Sequence, residues 1–138
     1  MTDLKLYQDF VLEVTSAQSK HEYAFTERFD QLSQYQPDRI KINPSLLLTA
    51  GMGLSAESGE FNEIIKKMFF QGKPLNEENV FHMKRELGDI MWYWMNACTA
   101  LGLDPNDVIT ENVKKLESRY PGGKFDAWHS ENRVEGDL

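Results

Sequence analysis

The sequence predicts an all-α protein, a bundle of four to five helices. Three observations lead there. Apolar residues recur at helical spacing through most of the chain, each such stretch is bounded by residues that cap or stop a helix, and no alternation of apolar and polar residues is long enough to build a sheet.

The elements follow in order. Thr2 or Asp3 can cap a first helix that carries Tyr7, Phe10, Val11 and Val14 at helical spacing. From Ser19 to Ile40 the pattern is less regular. Tyr23, Phe25 and Phe29 imply burial there, and Gln34-Tyr-Gln-Pro-Asp38 ends any helix near Gln36, because the residue before a proline disfavours the helical region. Asn43-Pro44 is a clear helix start, with Asn as cap and Pro in the first turn, where its missing N–H costs nothing. Leu46, Leu47, Ala50, Leu54, Phe61, Ile64, Ile65 and Met68 then recur up to about Phe70, and Gln71-Gly-Lys-Pro74 stops the run. Asn76 caps the next helix, with Glu77 and Glu78 at its positive end; Val80, Met83, Leu87, Ile90, Trp94, Ala97 and Leu101 form its stripe, and Gly102 closes it. Asp104-Pro105 opens a further helix with Ile109, Val113, Leu116 and Tyr120, ended by Pro121-Gly-Gly123. Residues 1–125 read as a single domain with a motif-bearing core over 43–125, and 126–138 as an acidic surface tail.

A chain of 138 residues fits one domain with a sizeable core. The formal charge of −7 argues against general affinity for nucleic acid, which needs clustered Lys and Arg. An acidic protein can still handle a polyanion if bound cations reverse the local field. The one cysteine, Cys98, lies in an apolar stretch and reads as a buried structural thiol, which with the absence of possible bridges fits a reducing compartment. The first residues have no apolar core of a signal peptide, and no window approaches the ~18 apolar residues of a membrane span. The expectation is a cytoplasmic protein that engages neither membrane nor nucleic acid.

Two acidic pairs carry the chemistry: Glu57-Ser-Gly-Glu60 and Glu86-Leu-Gly-Asp89. Residues three apart on a helix share a face, so each pair points two carboxylates one way. At about 100° per residue, Glu57 falls inside the arc of Leu46, Ala50, Ile64 and Met68, and Glu60 at its border. Glu86 and Asp89 border the arc of Met83, Ile90, Ala97 and Leu101. If the two helices pack antiparallel, the four acids face one another rather than water. Such a group repels itself, and cations relieve the repulsion. All-oxygen ligation suits magnesium, with manganese as substitute, better than zinc. A bundle di-iron site would require Glu-x-x-His, and Asp89 stands where that histidine is needed, while His21, His82 and His129 lie elsewhere.

Gly53, Gly59 and Gly88 fall inside predicted helices, where each costs ~1 kcal/mol relative to alanine. Close backbone approach at a site and simple tight helix packing both account for them. On the last long helix, Asn112, Lys115 and Arg119 form one stripe, a charge complement suited to the outer phosphates of a polyanionic substrate.

The two pairs at this spacing resemble the Glu-x-x-Glu … Glu-x-x-Asp signature of the MazG-like all-α nucleoside triphosphate pyrophosphohydrolases. The segment from Glu111 to Phe125 is similar to their closing helix and its Arg-Tyr-Pro turn. The resemblance runs from about Asn43 to Phe125. It implies magnesium held by Glu57, Glu60, Glu86 and Asp89, and attack of metal-activated water on the α-phosphorus of a nucleoside triphosphate, giving monophosphate and pyrophosphate. Glu60, with Glu57, is the expected acceptor of the water's proton. The resemblance also places Tyr93, one turn beyond Asp89, near the nucleoside, and Asn112 and Lys115 at the phosphates, with Arg119 as a further phosphate contact. Lys67 shares the stripe of Glu60 two turns on and is a further candidate for phosphate. Glu63, about 60° beyond Glu60, supports the cluster from outside or faces water.

Family members assemble as homodimers or homotetramers whose helices complete one another's sites. Phe69, Phe70, Trp92 and Trp94 are more aromatic surface than one small bundle uses inside, and Trp92 points away from the Tyr93 stripe towards a subunit neighbour. The segment before Asn43 matches no motif and can cover the nucleobase. Two further readings stay open: a non-catalytic nucleotide-binding regulator and a purely structural helical interaction module.

Overall fold

The computed structural model describes residues 3–35 and 41–133. Thr2, Gln36 to Ile40 and the acidic end from residue 134 lie outside the described residues. Among the described residues the architecture is all-α: α1 (Leu4–Val14), α2 (Ala17–Lys20), α3 (Glu22–Gln34), α4 (Pro44–Phe70), α5 (Glu77–Leu101), α6 (Pro105–Arg119) and α7 (Ala127–Glu131). Five of these have eleven residues or more, in keeping with the expected bundle. The short α2 and α7 are additions, and α7 lies in the segment read as a tail.

The caps are the ones the sequence implies. The Asp3 carboxylate accepts from the Lys5 N–H at 2.8 Å, the Asn43 carboxamide from Leu46 at 3.1 Å, and Asn76 from Asn79 at 2.9 Å. Each satisfies a donor that the first helical turn leaves without a partner. α5 ends with Leu103 N–H donating to Cys98 O at 2.9 Å and Gly102 N–H to Thr99 O at 3.1 Å. This pattern needs a left-handed residue, and Gly102 has φ 65°. α3 stops at Gln34 with Tyr35 as its cap, two residues before the expected Gln36.

The fold is organised around the α4–α5 hairpin, the most extensive helix pairing among the described residues. The turn between them is held by Asn79, the buried polar residue, whose side-chain amide donates to Pro74 O at 2.6 Å. At the far end the Asn43 N–H donates to Ala100 O at 2.8 Å, tying the start of α4 to the end of α5. The helices therefore run antiparallel. α3 leans on α4 over a short stretch, and among the described residues α6 makes no extended packing with another helix.

The interior is small. Ala24, Ala50, Cys98 and Ala100, with Pro44 and Gly53, are the buried apolar residues among those described, and none of the large side chains is fully buried. The burial expected of Tyr23 and Phe25 does not occur in the single chain: both are exposed, and Phe29 is half-buried. Ile109, Val113 and Leu116 on α6, with Phe69 (76% exposed) and Phe70 (84%) on α4, also face outwards. The apolar stripes exist, but no other described part of this chain covers them. No helix among the described residues is long and apolar enough to cross a membrane.

Candidate metal centre between the long helices

The antiparallel hairpin gives the acidic pairs their geometry. Glu57 and Glu60 occupy one face of mid-α4, and Glu86 and Asp89 one face of mid-α5. One carboxylate oxygen each from Glu57, Glu60 and Glu86 lie within 4.8 Å of one another. Glu57 and Glu86 are half-buried and Glu60 is exposed. Asp89 is exposed and stands outside that trio, yet close enough that its charge acts on Glu57.

The electrostatics single out Glu57. Partial burial, the neighbouring charges of Glu60, Asp89 and Glu86, and a hydrogen bond with Glu86 push its carboxyl above the ordinary value of 4.5. Repulsion of this kind is relieved by a proton or by a cation. A hard divalent ion fits the donor set, which is all carboxylate oxygen, gathered from two rigid helices and partly withdrawn from water.

Around this cluster the other expected site residues fall into three groups. Tyr93 is half-buried and its ring lies against the backbone of α4 at Gly53, one turn before Glu57; it also meets Trp92 edge-on, with centroids 4.8 Å apart. Lys67 is engaged by Glu63 at 3.1 Å, and Lys66 binds the same carboxylate at 2.6 Å. These two lysines hold Glu63 below the ordinary carboxylate range. Asn112, Lys115 and Arg119 ride on α6, which does not dock along the hairpin within one chain, so the acidic cluster and this stripe are not assembled by extended packing of a single copy.

The glycines divide as well. A methyl group at Gly53 would overlap the Tyr93 ring, while at Gly59 and Gly88 it would meet nothing within 4 Å. Close approach therefore explains Gly53 alone. In the sequence this approach shows only as a glycine inside a helix, one turn from Glu57, which does not name the ring that meets it. Beyond α6 the chain turns back, bringing Tyr120 and Phe125 to 5.7 Å. That turn and the α6 face made by Val113 and Leu116 line a largely apolar groove of about 480 Å³, bordered by Glu117 and Lys124 and apart from Glu57, Glu60, Glu86 and Asp89.

The family model of the MazG nucleotide pyrophosphohydrolase domain matches residues 47–123, which contain both acidic pairs, Tyr93 and the α6 stripe. The chain belongs to the MazG family. This MazG chain is 34% identical over 73 residues to the Gene 37 protein of Mycobacterium phage L5. The match covers 52% of this chain and 64% of that protein, so just under two thirds of the relative's length is spanned. No solved structure matches the chain significantly. The family is that of the MazG nucleotide pyrophosphohydrolase domain and is generally metal-dependent.

Proposed function

We propose that this MazG chain hydrolyses nucleoside triphosphates, or their deoxy counterparts, to monophosphate and pyrophosphate, with magnesium as its ion and manganese as a substitute. The observation that carries the reading is the three-carboxylate cluster across α4 and α5, with Glu57 pushed upward by its neighbours. A group of acids that destabilises its own charged form is poorly suited to a structural role and well suited to receiving a cation.

In this reading Glu57, Glu60 and Glu86 supply the inner ligands, and Asp89 joins them by a side-chain rotation on the rim. A divalent ion held there lowers the pKa of the attacking water and neutralises charge on the phosphate oxygens. Glu60, the most solvent-facing of the trio, accepts the water's proton. Glu57 must lose its own proton before it can ligate, so loading improves as pH rises. Tyr93 contacts the nucleoside with the part of its ring that the hairpin leaves uncovered. Lys67 turns from Glu63 to phosphate only when that ion pair opens.

Asn112, Lys115 and Arg119 reach phosphate from a second copy of the chain. This assembly, a homodimer or homotetramer, is supported by the exposed stripe of α6 and by the absence of large fully buried side chains among the described residues. A bundle that buries so little alone gains its stability from association. The lone buried thiol of Cys98 supports a reducing, cytoplasmic setting.

The deciding experiment incubates the purified protein with common and modified (d)NTPs plus magnesium and separates the products. Monophosphate and pyrophosphate in equal amounts are expected. Orthophosphate as main product, or nucleotide bound without turnover over hours, would reject the proposal.

A further inference from the structure

The glycine at position 53 is an unfavourable choice for the interior of a helix, since alanine there would raise helix propensity. Gly51, Gly59 and Gly88 have open space where a Cβ would go. Gly53 differs: it is buried, and a Cβ would overlap Cδ1, Cε1 and Cζ of Tyr93, far closer than carbon atoms approach. The ring, including the carbon that bears the hydroxyl, thus lies directly on the bare α-carbon.

Gly53 is one turn before Glu57, and Tyr93 one turn after Asp89. Because the helices run antiparallel, the ring contact and the carboxylate cluster form consecutive layers of one hairpin. Trp92 braces the ring edge-on at an interplanar angle of 85°. Held between α4 and Trp92, the phenol has a fixed orientation beside the acids, and it remains half-exposed. Part of the ring's surface is therefore open to a ligand.

We propose that Gly53 is a positioning residue for nucleotide binding: its missing side chain is the seat that sets the Tyr93 ring beside the acidic cluster, where it receives the nucleoside end of the substrate. This rests on the pyrophosphohydrolase reading above. The seat acts through Tyr93 and leaves the metal ligands alone.

The test compares wild type, Gly53→Ala, Tyr93→Ala and the double variant. Each is assayed with the best substrate found among the eight common NTPs and dNTPs, in magnesium. Gly53→Ala is expected to raise KM about tenfold, the scale of one lost base–aromatic contact, with kcat within about threefold. Mn2+ affinity read by electron paramagnetic resonance stays at the wild-type value, and the Trp92 indole N–H resonance shifts. In the Tyr93→Ala background the glycine change adds nothing further, because no ring remains to displace. An unchanged KM in Gly53→Ala, a further loss in the double variant, or a parallel fall in Mn2+ affinity would overturn the proposal. Should Gly53→Ala not fold, the double variant decides: kinetics equal to Tyr93→Ala support the seat, and weaker binding overturns it. If wild type releases no pyrophosphate, the catalytic reading fails on its own, and the nucleotide Kd of the same variants by calorimetry still reads the seat. Absence of any nucleotide binding overturns both.

Discussion

Glu57 on α4 and Glu86 on α5 bring carboxylate oxygens within 4.8 Å of each other across the two long helices. Partial burial and the neighbouring acids raise the Glu57 carboxyl above its ordinary value, so its charged form is disfavoured where it stands. Crowded like charge, gathered from two rigid helices, is what distinguishes this hairpin from a plain packed pair.

The first prediction concerns pH. Glu57 titrates above its ordinary value of 4.5, so its contribution to stability is full below about that pH and is lost as pH rises through the higher folded value. Gln at this position mimics the protonated form. The melting temperature of Glu57→Gln should match wild type in acid and exceed it increasingly towards neutral pH, in metal-free buffer. Magnesium should raise the wild-type value at pH 8 and leave the variant unmoved. A constant offset between the two proteins across pH would contradict the assignment.

A second expectation is catalytic. Glu60→Gln removes the proposed proton acceptor with almost no change of shape, so kcat should fall by on the order of 100-fold to 10,000-fold. Circular dichroism and the melting temperature should stay near wild type. Retention of more than a tenth of the activity would move the role to another group.

The third prediction tests association. Leu116→Asp puts a charge on the exposed apolar stripe of α6. Sedimentation should show a shift from oligomer to monomer, and specific activity should drop because the α6 stripe no longer reaches a neighbour's acids. Wild type, on dilution, should lose specific activity and melt at lower temperature. A fully active monomer would rule out the shared site.

Stability supplies the fourth. Gly51 is exposed within α4, and a methyl group added to its α-carbon would meet nothing within 4 Å. Ala at this position should stabilise by about 0.5–1 kcal/mol, seen as a rise of a few degrees in melting temperature. Destabilisation would mean that another surface presses on α4 there.

Much of this architecture was legible because its determinants are local. Asp3, Asn43, Asn76 and Asp104 announce helix starts through side chains that bond their own next turn. The facing of Glu57 and Glu60 towards Glu86 follows from helical period plus a short connection that forces antiparallel packing. The four-residue α2 and five-residue α7 escaped because neither is long enough to display a period. The exposure of Tyr23, Phe25, Ile109 and Val113 escaped for a different reason. Periodicity says that a face is apolar and says nothing about which molecule covers it. The contact of Tyr93 with Gly53 lay between these cases, since an out-of-place glycine flags crowding without naming the neighbour.

The gathered acids and the tyrosine seat all belong to a single helix–turn–helix unit, tied at its open end by Asn43 and Ala100 and at its tip by Asn79. Because both ties lie within the hairpin, a lineage can exchange α1 and α2 while keeping the register that brings the carboxylates together. Descendants would diverge around the hairpin while inheriting the same gathered carboxylates.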